Sequence, residues 1–322
     1  MKIMELQSKS PTGKEPGKLK SWFNRLPESK QNMVTGYLFI SPFIIGFFAF
    51  IIVPMGISLF MSFHDYDLLT EAQFVGWNNF ITIFTNDPKF VQSLTVTLKY
   101  VVLAVPLRLI VALAVAMLIN RPSKLSGAYR VLFYIPSILG GSVAVSIMWR
   151  NLFGDSGLIN GVLAAIGLDP IYFFKSPGLA LMTLILLAAW QFGSSMLIFL
   201  SGLKNIPKDY YEAAEIDGAG KIRQFFNITV PVLTPIIFFN LIYQTIMAFL
   251  TFTPAFIISN GTGSPRNGTL VYSLYMYQRA FTDFKMGYAS ALAWILLVIV
   301  GLITILLFAT SKFWVFKENE EV

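Results

Sequence analysis

The sequence predicts an all-α integral membrane protein that crosses the bilayer about six times, with both termini on the cytoplasmic side. Three observations carry this reading. The 322-residue chain is 55% hydrophobic and only 13% charged, with a mean hydropathy of +0.65, whereas a soluble domain carries roughly 25% charged residues. Six segments are apolar over the ~20 residues needed to span a ~30 Å hydrocarbon core. Lysine and arginine are concentrated in alternate connecting segments.

Taken in order, residues 1–35 form a polar, basic cytoplasmic tail, partly disordered by composition. A membrane domain of residues 36–314 follows, then a short cytoplasmic tail, 315–322. The spans are read at about Tyr37 to Phe63, Thr95 to Ile119, Val131 to Trp149, Leu179 to Leu200, Ile236 to Ile258 and Met286 to Phe308. Each must be helical, because backbone groups in lipid have to bond within their own segment. The first span is too long, and preceded by too much polar chain, to read as a cleaved signal peptide. Between the first two spans, Asp65, Asp67, Trp77, Asn78, Asn79 and Asp87 read as a folded polar cap, and Gly157-Leu-Ile-Asn160 in the third loop reads as a turn.

Orientation follows from the basic residues. The N-terminal tail, second loop, fourth loop and C-terminal tail hold 16 Lys and Arg together, against 6 in the other loops, or 7 counting Lys99 at the edge of the second span. The net charge of +7 is thus topological. It does not form the basic face of a soluble nucleic-acid-binding module, so no nucleic-acid partner is expected. Zero cysteines and a single histidine, His64, exclude thiolate and imidazole metal clusters and thiol nucleophiles. An integral-membrane enzyme would need a cluster of acids, histidine or metal ligands that the sequence does not display.

The fourth loop is too long for a connector. Within 203–235, Pro207 sets an entry, Asp209 and Glu212 have capping-box spacing, Gly218 and Gly220 permit a bend, and Pro231 is read as closing a second helix. The first helix is read from about Asp209 to Asp217. Tyr210, Ala213, Ala214 and Asp217 fall on one face of it, with Glu212 and Glu215 on another. Four basic and four acidic residues balance in this loop, so it is a poor anchor for an anionic lipid surface. Capped, bent and neutral, it suits a groove in a partner protein. Gly218-Ala-Gly220-Lys221-Ile222 is not a phosphate-binding loop: the first glycine and the hydroxyl residue after lysine are both missing.

Glu212-Ala213-Ala214, Asp217-Gly218-Ala219, Phe225, Ile228, Pro231, Leu233 and Pro235 resemble the EAA loop of permease subunits in binding-protein-dependent ABC importers. Ser41-Pro42, Tyr134-Ile-Pro136, Gly157-Leu-Ile-Asn160 and Trp190 add a similarity to the carbohydrate-uptake branch, the maltose- and glycerol-phosphate-type permeases. The resemblance implies a type I ABC importer permease fold in a bacterial or archaeal plasma (inner) membrane. It implies a heterodimer with a second permease subunit, two ATPase subunits that carry ATP and Mg, and an extracytoplasmic binding protein that delivers the carbohydrate, an oligosaccharide. This chain would bind no cofactor or metal and have no catalytic residue. Glu212, Ala213, Ala214, Asp217, Gly218, Ala219 and Phe225 would couple it to the ATPase, Phe225 and Ile222 anchoring the loop against span ends. The competing expectation is a secondary transporter or channel that uses no ATPase.

Polar residues inside spans mark a pathway or helix packing. The candidates for the solute pathway are Trp190 and Gln191 in the fourth span, with Ser194 and Ser195 nearby, and Asn240, Tyr243, Gln244 and Thr253 in the fifth. Aromatic faces and neutral hydrogen-bonding groups suit a sugar ring and its hydroxyl rim. Arg108 lies near the middle of the second span, where an arginine costs about 2.5–3.5 kcal/mol to insert. It needs a partner, either a phosphate or uronate in the cavity or a carbonyl or neighbouring subunit. No Asp or Glu lies deep in any span, which argues against proton- or sodium-coupled transport.

Overall fold

The computed structural model describes residues 27–67, 69–120 and 125–316. Residues 1–26 of the expected basic tail, like most of the C-terminal tail, fall outside the described residues, whereas its last residues, from Glu28, already belong to the first helix. The chain divides into two compact units with the boundary at Ser58. The first unit is the greater part of one helix, α1 (Glu28–Ser62), long enough at ~1.5 Å per residue to cross a bilayer.

The second unit begins at Leu59. Its opening segment pairs two short antiparallel strands, β1 (His64–Asp65) and β2 (Gln73–Phe74), with His64 opposite Phe74. The helix α2 (Asn78–Thr85) follows, and its buried Asn79 donates from Nδ2 to the carbonyls of Ser62 and His64 at 2.9 and 3.0 Å. The polar cap read from the sequence is therefore a folded element. Next comes α3 (Pro88–Ile119). It starts where it does because Pro88 occupies the first turn, where its missing N–H costs nothing, and Asp87 accepts from the N–H groups of Lys89 and Phe90.

Six helical spans were expected; among the described residues four helices are long and apolar enough to cross alone: α1, α3, α10 (Lys221–Phe249) and α13 (Met286–Trp314). The third and fourth spans are each broken. The third is α4 (Ser126–Leu139) and α5 (Val143–Leu152), bent by 96°; the fourth is α7 (Pro177–Trp190) and α8 (Gly193–Asn205), bent by 42°. Counting each bent pair as one crossing gives six. Between them, the Gly157–Asn160 turn opens a short helix, α6 (Leu158–Ala165). Asn160 holds this loop by accepting from the N–H of Ile171 and donating to the carbonyls of Gly154, Asp155 and Ile171.

The two breaks satisfy each other. A broken helix leaves carbonyls and N–H groups unpaired, which membrane proteins tolerate only where neighbours supply partners. Gln191 Nε2 donates to the Gly140 carbonyl at 2.9 Å, Ser137 Oγ donates to the Gln191 carbonyl at 2.8 Å, and Ser137 Oγ accepts from the Ser194 N–H at 3.0 Å. Gly140 has no room for a side chain: a Cβ there would run into the Gln191 side chain and come within 2.6 Å of the Pro136 carbonyl.

Centrally, α3 packs against α7, α8 and α10. Its buried Ala104, Ala112 and Ala116 let those helices approach closely. On the α2 side, α12 (Tyr272–Tyr277) pins α3 to α13: the Tyr272 N–H donates to Thr97 Oγ1 at 2.7 Å, and its hydroxyl donates to the Leu292 carbonyl at 2.8 Å. Buried Asp87 collects hydroxyl bonds from Tyr275 and Tyr288, with Arg279 at 3.7 Å. Burial pushes the Asp87 carboxyl upward, but the bonds from both tyrosines and Phe90 N–H, with the Arg279 charge, leave it below the ordinary carboxylate value.

Candidate functional site: a bent elbow and an intramembrane cavity

Two features stand out in the second unit. The first is the elbow between α8 and α10. Here α9 (Lys208–Ile216) starts one residue earlier than expected, after Pro207. Asp209 therefore lies inside the first turn and makes no side-chain cap, so the capping box read from the sequence is not formed. The C-terminus is a Schellman closure. The Gly218 N–H bonds the Glu215 carbonyl at 3.1 Å and the Ala219 N–H bonds the Ala214 carbonyl at 2.8 Å. That geometry needs Gly218 at φ +74°, a left-handed backbone that an L side chain adopts at a cost.

Beyond the bend the chain enters α10 directly, so Pro231 does not close a second helix. A π-turn, Phe225–Thr229, precedes the proline, and the Val230 N–H reaches back five residues to the Phe225 carbonyl. This wider turn seats the proline ring inside a continuing helix. The same solution recurs in α1, where the π-turn Phe48–Ile52 ends at Val53, immediately before Pro54.

Three contacts brace the elbow: Tyr211 Oη with Thr229 Oγ1 at 2.9 Å, Gln224 Nε2 donating to the Ala219 carbonyl at 3.1 Å, and Lys221 with Glu215 at 2.7 Å across the bend. The hydrogen bond and charge of Lys221 lower the Glu215 pKa. Ala214 is half-buried, whereas Glu212, Ala213, Asp217 and Gly218 are exposed. The two alanines thus part company: Ala214 turns inward with Tyr211, and Ala213 outward with Tyr210. Ala219 and Phe225 are half-buried. Ile222 is 77% exposed, so it does not anchor the loop as expected. Tyr211, Gln224 and Thr229 do so instead. Tyr211 was legible as the apolar neighbour of Tyr210, one position off the face chosen.

The second feature is a cavity of about 540 Å³ between α3, α4, the break in the fourth span, and α10, reaching the start of α11 (Thr253–Ser259). Its polar lining is Tyr100, Arg108, Tyr134, Ser137, Gln191, Ser194, Tyr243, Gln244, Thr251 and Thr253. Of the pathway candidates, Gln191, Tyr243, Gln244 and Thr253 come together here. Trp190 instead stacks near Trp149, ring centroids 5.8 Å apart, and Asn240 is fully buried with Nδ2 on the Ile236 carbonyl. Gln244 is 2% exposed and donates to Ser195 Oγ at 2.9 Å, so it also joins α10 to α8. The sequence reading missed Tyr100, Tyr134 and Thr251. Tyr100, Ala104 and Arg108 recur every four residues, a one-face signal that could have found the first.

A family model described as "Binding-protein-dependent transport system inner membrane component" matches residues 79–314. The chain belongs to this family. The match contains both the elbow and the cavity, and it makes the protein an inner-membrane permease component of a transport system. The probable ABC transporter permease protein YesP of Bacillus subtilis (strain 168) is 59% identical to this permease over 293 residues, covering 91% of this chain and 95% of that one. The lactose transport system permease protein LacF of Rhizobium radiobacter is 32% identical, covering 87% and 94%. Among solved structures, a chain of a bacterial alginate ABC transporter in complex with alginate pentasaccharide-bound periplasmic protein matches with a TM-score of 0.76 at 23% identity, covering 89% of this permease and 97% of that chain. The shared fold is the type I importer permease.

Proposed function

We propose that this permease pairs with a related subunit to form the path of an ATP-driven importer for a carbohydrate, most specifically an oligosaccharide. An extracytoplasmic binding protein delivers the solute, and two separate ATPase subunits, which hold the ATP and Mg, drive the cycle. The observation that carries the proposal is the braced elbow: a short helix with exposed Glu212, Ala213 and Asp217, closed rigidly at Gly218 and continuous through the π-turn with a membrane-crossing helix. A displacement of α9 is transmitted to α10, and Tyr243 and Gln244 on α10 line the cavity.

The chemistry of the cavity supports a sugar. Tyrosine rings offer faces to C–H surfaces, and hydroxyls and amides offer neutral hydrogen bonds. Its volume falls within the range of about 300–1,000 Å³ usual for small-molecule sites. Lactose and arabinooligosaccharide permeases among the relatives point the same way. The test is purification of the chain from its native membrane. An ATPase is expected to come with it, and solute-loaded binding protein is expected to raise hydrolysis. Carbohydrate accumulation that continues without any ATPase would instead establish the secondary-transporter reading.

A further inference from the structure

We infer that the seam between α8 and α10 is a two-position switch: a chain of hydrogen bonds from Gln244 to Ser195 to Asn240 is half made in this structure and is completed when the elbow shifts α10 along α8. The inference rests on the reading above, in which an ATPase moves α9, and concerns how that movement is held inside the membrane. Gln244 Nε2 donates to Ser195 Oγ at 2.9 Å, and among the described residues the Ser195 hydroxyl has no acceptor for its own proton. Asn240 lies one helical turn before Gln244 on the same face of α10. Its Nδ2 donates to the Ile236 carbonyl of its own helix at 3.2 Å, and its Oδ1 is buried with no donor. A hydroxyl without an acceptor and an amide oxygen without a donor thus share one seam.

The packing brings these two groups to the same level. A Cβ on Gly202 would run into the side chains of Ile236 and Leu233, which fixes the register of the antiparallel helices. Seven residues back from Gly202 along α8 is Ser195, and seven residues on from Leu233 and Ile236 along α10 are Asn240 and Tyr243. Ser195 therefore lies between Asn240 and Gln244, with the Gln244 side chain leaning toward it in the N-terminal direction of its helix. The missing bond needs a shift of less than one turn, ~5.4 Å. Ser195 and Asn240 are 0% exposed and Gln244 is 2% exposed in this chain alone, so a partner subunit cannot reach in to supply the donor. An unpaired buried acceptor disfavours the position seen here, and pairing it favours the shifted one, which keeps the two arrangements close in energy. Since α9 lies between α8 and α10 in the chain, its displacement is the motion that changes their register.

The test is the affinity of the assembled importer for a non-hydrolysable ATP analogue. A bond made equally in both positions drops out of this affinity, whereas a bond made only in the nucleotide-bound position does not. Asn240→Leu and Ser195→Ala are each expected to weaken analogue binding about three- to tenfold, the scale of one net hydrogen bond. The double variant is expected to bind no more weakly than the weaker single variant, and Ser195→Thr, which keeps the hydroxyl, to retain most of the affinity. Unchanged or tighter binding in either single variant, or losses that multiply in the double variant, overturns this inference and leaves the importer reading standing. An importer preparation in which wild type binds no analogue overturns the importer reading and this inference with it. If Asn240→Leu does not assemble, Asn240→Ala takes its place in the same comparison.

Discussion

Replacing Gly218 by alanine isolates the elbow's geometry from its contacts. A Cβ at this position would meet nothing within 4 Å, so the substitution creates no clash. Its whole effect comes from φ +74°, which costs an L-residue about 1–2 kcal/mol. That corresponds to a five- to thirtyfold loss in the population of the closed bend relative to opened forms. Gly220 supplies the control, since a Cβ there also meets nothing within 4 Å and its φ of −69° suits any residue. The assay is ATP hydrolysis and solute uptake measured together in vesicles containing the complete importer. Gly218→Ala is expected to lower solute imported per ATP hydrolysed while membrane insertion stays normal. Gly218→Asn should lie between, because asparagine tolerates the left-handed region. Gly220→Ala should match wild type. Full coupling in Gly218→Ala, or equal damage from Gly220→Ala, would refute the argument.

Three further outcomes follow from the contacts. Gln191→Leu strips the Gly140 carbonyl of its partner inside the break and should lower the stability of the detergent-solubilised protein by about 1–3 kcal/mol, read as a reduced Tm. Tyr211→Phe removes the bond to Thr229, should cost about 1 kcal/mol, and should increase proteolysis or hydrogen exchange in 208–224 without affecting the cavity. Asp87→Asn removes the charge that Tyr275, Tyr288 and Arg279 stabilise, with an expected loss of about 3 kcal/mol near neutral pH. Because the folded Asp87 pKa is depressed, its contribution is complete above the unfolded value near 4 and is lost as pH falls through the lower folded value. The stability gap between wild type and Asp87→Asn should therefore be flat from pH 5 to 8 and close in stronger acid.

The membrane class, the number of crossings and the position of the elbow were legible because they depend on run length, charge placement and punctuation. The breaks in the third and fourth spans were not, although Gly140-Gly141-Ser142 and Gln191-Phe192-Gly193 mark them. Apolar continuity outweighed these residues in the reading. What makes the breaks tolerable is their pairing across space, Gln191 to Gly140 and Ser137 to Gln191, which one-dimensional spacing does not show. Pro231 was misread for a related reason: the stop signal is real in an α-helix, but the π-turn ahead of it absorbs the missing donor. The cavity was half legible. Polar residues in the fourth and fifth spans gave Gln191, Tyr243, Gln244 and Thr253; the one-face recurrence of Tyr100 with Arg108 was passed over, and Thr251 required the packing of α3 beside α10.

Cysteine crosslinking from Ala213 tests the account most directly. The chain has no cysteine of its own, and Ala213 is exposed on the outer face of the elbow, so Ala213→Cys gives a single reporter with little disturbance. In intact membranes, crosslinking through this position is expected to join the permease to an ATP-hydrolysing subunit, with a yield that changes when nucleotide binds. A cysteine that reacts freely with a soluble maleimide yet never crosslinks to an ATPase, in membranes that accumulate solute, would contradict the account.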